Sequence, residues 1–326
     1  MRVLITGAGG FVGGHLVEYL LGLPGQIAID AAVLNPPGAH PRLNGRPVAQ
    51  HQVDLRDPDA VRALVETARP DRVFHLAALA DVGASFRNPW ATLENNIRVQ
   101  VNLQEAILQS GIPARVLIVS SGEIYGAAGG TMAPIDETYP FEPASPYSVS
   151  KVAQDMLGLQ YFIAHGMAII RARPFNHIGP SQRGGFVAAD FASQIAAIEA
   201  GQRPPVIDVG NLAAERDFTD VRDVVRAYHL LLERGAPGEA YNVCSGAGHS
   251  IQSLLDTLLS YSPAAIEVRQ DPARMRPSDV PRRVGDARKL RAATGWAPEI
   301  PFERTLLDIL NDWRQSLGAP ARPDRR

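Results

Sequence analysis

The 326-residue chain is almost without lysine: only Lys151 and Lys289 occur, and the other 30 of its 32 basic residues are Arg. Arg keeps its proton and presents a rigid fork, whereas Lys is a compact charge with a movable pKa. A position that is still Lys therefore poses a chemical question. Cysteine is scarcer still. Cys244 stands alone, which excludes an internal disulfide and any multi-cysteine metal site, so no metal is expected. The same scarcity points to a reducing compartment, the cytoplasm. No run of about 18 apolar residues occurs, which argues against a transmembrane helix and membrane partners. The first residues lack the charged, apolar, small-residue order of a secretory signal. Excess positive charge is lacking too: a net charge of −2 leaves no basic field for nucleic acid.

What remains is an ordinary folded composition, 45% hydrophobic and 20% charged, in a chain long enough for two domains. Arg2 to Thr6 is a short apolar run, followed by glycines and an amphipathic stretch from Phe11 to Leu21. That order reads as strand, tight turn and helix. Further apolar runs at 48–53, 72–76, 115–120 and 167–171 alternate with helical patterns. The alternation predicts an α/β fold, a doubly wound parallel sheet covered on both faces. Helical periodicity recurs at 186–200, 221–234, 251–261 and 301–317. We expect a dinucleotide-binding domain over 1–172, with segments of about 206–244 returning to it. A smaller α/β substrate lobe takes 173–205 and 245–317, and 318–326 form a flexible tail.

Gly7, Gly10 and Gly13 close the first strand and open the first helix. The first glycine permits the turn, the second lets backbone approach a phosphate, and the third lets helix pack on strand. The free N–H groups at Phe11 and Val12 then face a pyrophosphate. The second strand should end on the group that meets the adenosine ribose. Asp30 is close to that place, although the tip falls equally well at Ala32 or Val33, so NAD and NADP both stay open. Arg42 reads as a solvated surface residue or a phosphate ligand. Asp54, followed by Leu55, is placed to accept from the adenine amino group, or else to cap a helix.

Tyr147 and Lys151 are four apart and share one helix face. Eight Tyr and two Lys give on the order of 0.05 such pairs by chance. A nearby ammonium lowers a tyrosine pKa toward the range useful for proton transfer. Pro146 suits the first turn of that helix. Ser120 and Ser121 end the strand 115–119, and open parallel sheets bind ligands outside such carboxyl ends. The Ser121 hydroxyl is placed to bond a substrate oxygen beside Tyr147.

Gly7-x-x-Gly10-x-x-Gly13, His75-Leu76-Ala77-Ala78, Asn96 and Tyr147-x-x-x-Lys151 span nearly the whole chain. Together they resemble the extended short-chain dehydrogenase/reductase (NAD-dependent epimerase/dehydratase) family, whose members act on nucleotide sugars. The resemblance implies a triad of Ser121, Tyr147 and Lys151, with Lys151 also holding the nicotinamide ribose of NADP(H) or NAD(H). It implies that Leu76, Ala77, Ala78 and Pro174 line the cofactor channel. Arg173-Pro174-Phe175-Asn176-His177 resembles the family's substrate loop, so Asn176 would meet a diphosphate. Arg216-Asp217-Phe218 and Arg276-Pro277-Ser278-Asp279 resemble its later phosphate and ribose segments, led by Arg216, Arg276 and Asp279. With Val187 as a further substrate contact, these motifs are most similar to members handling GDP-mannose derivatives. They imply reduction of a GDP-linked 6-deoxy-4-keto sugar, in a homodimer built on a four-helix interface. Glu123 keeps a second reading open, because the family's dehydratases use a Glu in this slot as the eliminating base. A UDP- or TDP-sugar 4-epimerase is a third reading, and a cofactor-binding regulator a fourth.

Overall fold

The computed structural model describes residues 1–130, 133–272 and 280–318. Arg276 and Asp279, and the tail beyond Gly318, lie outside the described residues. Seven parallel strands form the main sheet in the order β10-β6-β5-β4-β1-β2-β3. They are β1 (Arg2–Thr6), β2 (Ala28–Val33), β3 (Ala49–Gln52), β4 (Arg72–His75), β5 (Arg115–Val119), β6 (Ile169–Pro174) and β10 (Ala240–Val243). Alternate residues of each strand bury on opposite faces. Val3 and Ile5 join a core with α1 (Phe11–Leu21) and α7 (Val221–Arg234). Leu4, between them, packs with α2 (Pro58–Ala68), α4 (Pro89–Ser110) and α5 (Pro146–His165). With both faces covered, a strand must be apolar throughout, which is why these runs are nearly continuous. The strand order reverses between β1 and β4, and the crevice outside the carboxyl ends at such a point is where ligands bind.

The second lobe is built from short pieces. β7 (Asn176–Ile178), β9 (Glu215–Asp220), β11 (Gly248–Ser250) and β13 (Arg282–Arg283) form one small sheet. β8 (Val206–Val209) pairs with β12 (Glu267–Gln270) in another. α6 (Val187–Glu199), α8 (Ile251–Ser260) and α10 (Phe302–Ser316) close a core of their own around Phe191, Leu255 and Leu306. Two expected boundaries therefore shift. Within 206–244 only α7 and β10 return to the main sheet, because β8 and β9 find their partners in the lobe. Within 245–317, α9 (Arg288–Thr294) and Trp296 pack back into the main-sheet core. β6 also runs three residues past the expected end at Arg171, since Arg171 to Pro174 pair with β10.

The sequence pattern gives no sign of α4, and the physical cause is its inner face. Thr92, Asn96, Gln100 and Gln104 are buried at helical spacing there, so the stripe facing the core is amide as well as aliphatic. Asn96 accepts from the Leu79 N–H at 2.7 Å and donates to the Leu79 carbonyl and to Ser150 Oγ at 2.9 Å. It thereby ties the loop after β4 to α5.

α5 is fixed at its start by Ser145 and Ser148, which cap each other's backbone, with Pro146 at the first position. It is fixed to the sheet by Asp155, fully buried, which accepts from Arg171 at 2.5 Å and from both arms of Arg173 at 2.9 and 3.0 Å. Removing one partner of such a pair leaves an uncompensated buried charge. Asp155→Ala is expected to lower the unfolding free energy by about 3–5 kcal/mol, read as a lower urea midpoint.

Candidate active site

The turn after β1 is held by Ala32, whose carbonyl accepts the N–H groups of Gly7 and Ala8 at 3.1 and 3.3 Å. Gly7 sits at φ +72°, and a Cβ there would lie 2.9 Å from the Ala77 nitrogen. A Cβ at Gly13 would lie 2.4 Å from the Gly7 carbonyl oxygen. The loop is thus packed too closely on Leu76-Ala77 and on itself for any side chain. Gly10 caps α1 with no side-chain bond, and the first turn holds no acid. The N–H groups of Phe11 and Val12 stay available to an anion. This cradle, packed on Leu76 and Ala77, fits a dinucleotide pyrophosphate.

Asp30 does not stand at the tip of β2. It pairs with Leu4 three residues earlier, and its buried carboxylate lies 2.8 Å from His51 Nε2. No carboxylate follows at Val33-Leu34-Asn35. Asp54 is half exposed and is held by Arg56, whose side chain bonds it at 2.6 Å. That pairing lowers its pKa, first through the Arg56 side-chain hydrogen bond. The cap of α2 is Asp57, not Asp54, while Leu55 is buried in the core. Arg42 is not freely solvated: it lies along Gly14, bonded to His15 and Ser181 at 3.0 Å and to Glu18.

At the tip of β5, Ser121 Oγ accepts the Glu123 N–H at 3.1 Å, and the Ser121 side chain is near enough to the Tyr147 hydroxyl to act on its pKa. Lys151 Nζ donates to the Val119 carbonyl at 2.9 Å and stands 5.9 Å from the Tyr147 ring centre. Ser120 Oγ donates to the Lys151 carbonyl at 3.1 Å. The residues of the expected triad are therefore together. The expected electrostatics differ. Burial pushes the Tyr147 hydroxyl up to about 12, the Ser121 bond opposes this, and the Glu123 charge adds to it. Burial alone pulls the Lys151 ammonium down to about 7. Desolvation disfavours both charges, and the ammonium is spent on Val119 and not on the phenol. His75, unassigned from the sequence, is buried beside this group with Nδ1 2.8 Å from Thr6 Oγ1. Burial, then the Lys151 charge, lowers its pKa to about 3.

The later residues fall on the lobe side. Asn176 lies on β7, paired with Phe218 of β9, and Val187 opens α6. Arg216 donates to the Val280 carbonyl at 2.7 Å and so holds the chain entering β13. Arg283, which no motif singles out, reaches across to Glu123 and donates to its carboxylate. Positions 123 and 283 share no local motif, and only the fold brings them together. Among the described residues there is no cluster of three or more His, Cys, Asp or Glu fit for a metal, and no helix long and apolar enough to cross a membrane.

Because Lys151 is held near 7 in the folded chain and titrates near 10.5 when unfolded, the unfolded state binds more protons between those values. Stability should then rise through pH 7.5–9.5, by up to about 1.4 kcal/mol per pH unit from this group. Urea melts of the protein without added dinucleotide should show that rise, and Lys151→Met should remove it.

A family model described as GDP-mannose 4,6 dehydratase matches residues 4–309. GDP-6-deoxy-D-mannose reductase from Pseudomonas aeruginosa is 39% identical over 312 residues, 96% of this chain and 97% of that protein. GDP-mannose 4,6 dehydratase 2 from Arabidopsis thaliana is 30% identical, over 95% of this chain and 86% of that one. A solved structure of RMD from Pseudomonas aeruginosa complexed with NADPH superposes with a TM-score of 0.86 at 37% identity, covering 97% of this chain and all of the other. With the glycine cradle, the Tyr147–Lys151 helix and a match over nearly its full length, the chain belongs to the GDP-mannose 4,6-dehydratase family of short-chain dehydrogenase/reductase-like proteins.

Proposed function

We propose that this protein reduces the C4 carbonyl of GDP-4-keto-6-deoxy-D-mannose to GDP-D-rhamnose, with NADPH or NADH as reductant. The observation that carries the reading is the Ser121–Tyr147 hydroxyl pair at the tip of β5, on the same sheet edge as the uncapped start of α1. Gly7, Gly10, Phe11, Val12, Gly13, Asp54, Leu55, Leu76, Ala77, Ala78 and Pro174 form the dinucleotide site, and Lys151 holds the ribose beside the nicotinamide. Bound there, the reduced dinucleotide supplies the hydride. Ser121 and Tyr147 donate to the substrate carbonyl oxygen, and Tyr147 gives its proton to the forming alkoxide. Arg216, with Arg276, Asp279, Asn176 and Val187, takes the GDP portion, where a guanidinium fork suits a diphosphate. The work belongs to the cytoplasm, where reduced nicotinamide is maintained.

Glu123 favours a second reading, dehydration. Loss of water across C5 and C6 needs a base at C5 and an acid at the departing hydroxyl. The residue between Ser121 and Glu123 adds no such acid, because it is Gly122, where a Cβ would already crowd the Phe175 ring at 3.0 Å. Reduction needs neither group, and the 39% identity to a reductase supports it.

Incubation with GDP-4-keto-6-deoxy-D-mannose should consume reduced dinucleotide in step with product identified by NMR. Conversion without loss of nicotinamide absorbance would identify an epimerase instead, whereas a dehydratase would leave this ketone unchanged and form it from GDP-mannose. Tyr147→Phe should lower kcat by at least about 10²-fold while dinucleotide affinity stays nearly unchanged.

The same reading includes a homodimer. α3 (Val82–Arg87), α4 and α5 leave Phe86, Trp90, Val149 and Ile163 exposed, with Trp90 and Ile163 at 70% and 71%. A second copy packing α4 and α5 on this face would bury them in a four-helix contact. Sedimentation should give twice the chain mass, and Ile163→Glu should shift it to the monomer.

A further inference from the structure

Glu123 donates its N–H to Ser121 Oγ at 3.1 Å, and its charge is felt at the Tyr147 hydroxyl. It is not free. Arg283, with its side chain 6% exposed, donates through Nη1 to Glu123 Oε1, and the carboxylate side chain is 29% exposed. Arg283 stands on β13 as the cross-strand neighbour of Arg216, so its position is set by the lobe sheet and not by the loop that carries Glu123. A buried guanidinium pairs with a carboxylate through directional, charge-assisted hydrogen bonds, and such a pair is held firmly when one member is nearly dry.

A 4-keto sugar has a weakly acidic proton on C5, next to the carbonyl. If Glu123 removed it, the C5–H bond would break and the proton would pass to the carboxylate. The electron pair would move into the carbonyl and give an enolate at the Ser121–Tyr147 oxygen site. Reprotonation would restore the ketone, with nothing oxidised or reduced. This exchange competes with reduction and opens the way to a wrong configuration at C5. We propose that Arg283 is the specificity-determining residue that prevents it, by committing the Glu123 carboxylate to the ion pair so that the site reduces C4 and leaves C5–H intact. The inference rests on the reductase reading and deepens it. Arg283 acts through Glu123 and is a positioning residue, not a catalytic one.

The test is deuterium incorporation at C5 of GDP-4-keto-6-deoxy-D-mannose in D₂O with oxidised dinucleotide, followed by NMR against an enzyme-free blank. The wild-type protein should stay at the blank. Arg283→Met should raise incorporation about 10²-fold, the scale of a positioned general base, and Glu123→Gln added to it should return incorporation to the blank. A purely structural Arg283 would lower reduction without opening exchange. Arg283→Met that still reduces substrate but exchanges no faster than wild type overturns the proposal. Arg283→Gln, which keeps an N–H donor without the charge, is read the same way should the Met variant fail to fold. Rapid C5 exchange by the wild-type protein overturns the proposal without any variant. Failure of the wild type to consume reduced dinucleotide sinks the reductase reading instead, and the exchange comparison still reports on Arg283.

Discussion

The site depends on one buried carboxylate. Asp155 lies one helical turn past Lys151 and two past Tyr147, and it binds Arg171 and Arg173 inside the protein. The network continues outward: Arg173 donates to the Tyr125 hydroxyl at 2.9 Å, and Tyr125 donates to Asn242 at 2.8 Å. Tyr125 follows Ser121 and Glu123 in the same turn, and Asn242 is on β10. One carboxylate therefore fixes α5, β6, β10 and the turn after β5 against one another. An ion pair of this kind is weak evidence of net stability, since desolvation offsets much of its attraction. Its value is positional: it leaves the helix carrying Tyr147 a single seat.

The scarcity of lysine is clearer in this light. Guanidinium forks hold the interior together at Arg171, Arg173, Arg283 and Arg314, the last gripping Glu199 at 2.8 Å with both arms. None of these sites needs a proton to leave. Lys151 is buried beside the Tyr147 ring, and burial alone brings its pKa down to about 7. Lys289 spans the surface between Glu239 at 2.7 Å and the Tyr241 ring at 5.0 Å. It is a fastening, and its counterpart is the lysine to which the proposed chemistry falls.

The glycine turn, the Tyr–Lys pair and the parallel sheet were legible because each is local. Spacing alone states which groups share a turn or a helix face. The missed features are those where two distant segments decide the outcome. α4 hides because its inner face carries Asn96, Gln100 and Gln104, whose partners are residues such as Ser150 and Gln154 on another helix. Asp30 looked like a ribose ligand because the strand end cannot be read to within two residues, and a neighbouring strand supplies the His51 that claims it. The lowered tyrosine pKa was a pairwise argument. Burial, which no pair of residues reveals, reverses its sign in this arrangement.

The same limit explains why reaction type is harder to read than fold. The carboxylate that suggests dehydration is present in the sequence, two residues after the serine. What that carboxylate does depends on two neighbours that local sequence does not connect to it. Phe175 fills the space where a side chain at position 122 would stand, and Arg283 arrives from a two-residue strand 160 positions away. Both come from segments that build the small lobe or its entrance. On the proposed reading, the main sheet supplies a generic hydride-transfer platform, and the lobe selects the reaction by deciding which of its groups remain free to act. Within such a scaffold, the loss of an activity requires no loss of the residue that performs it.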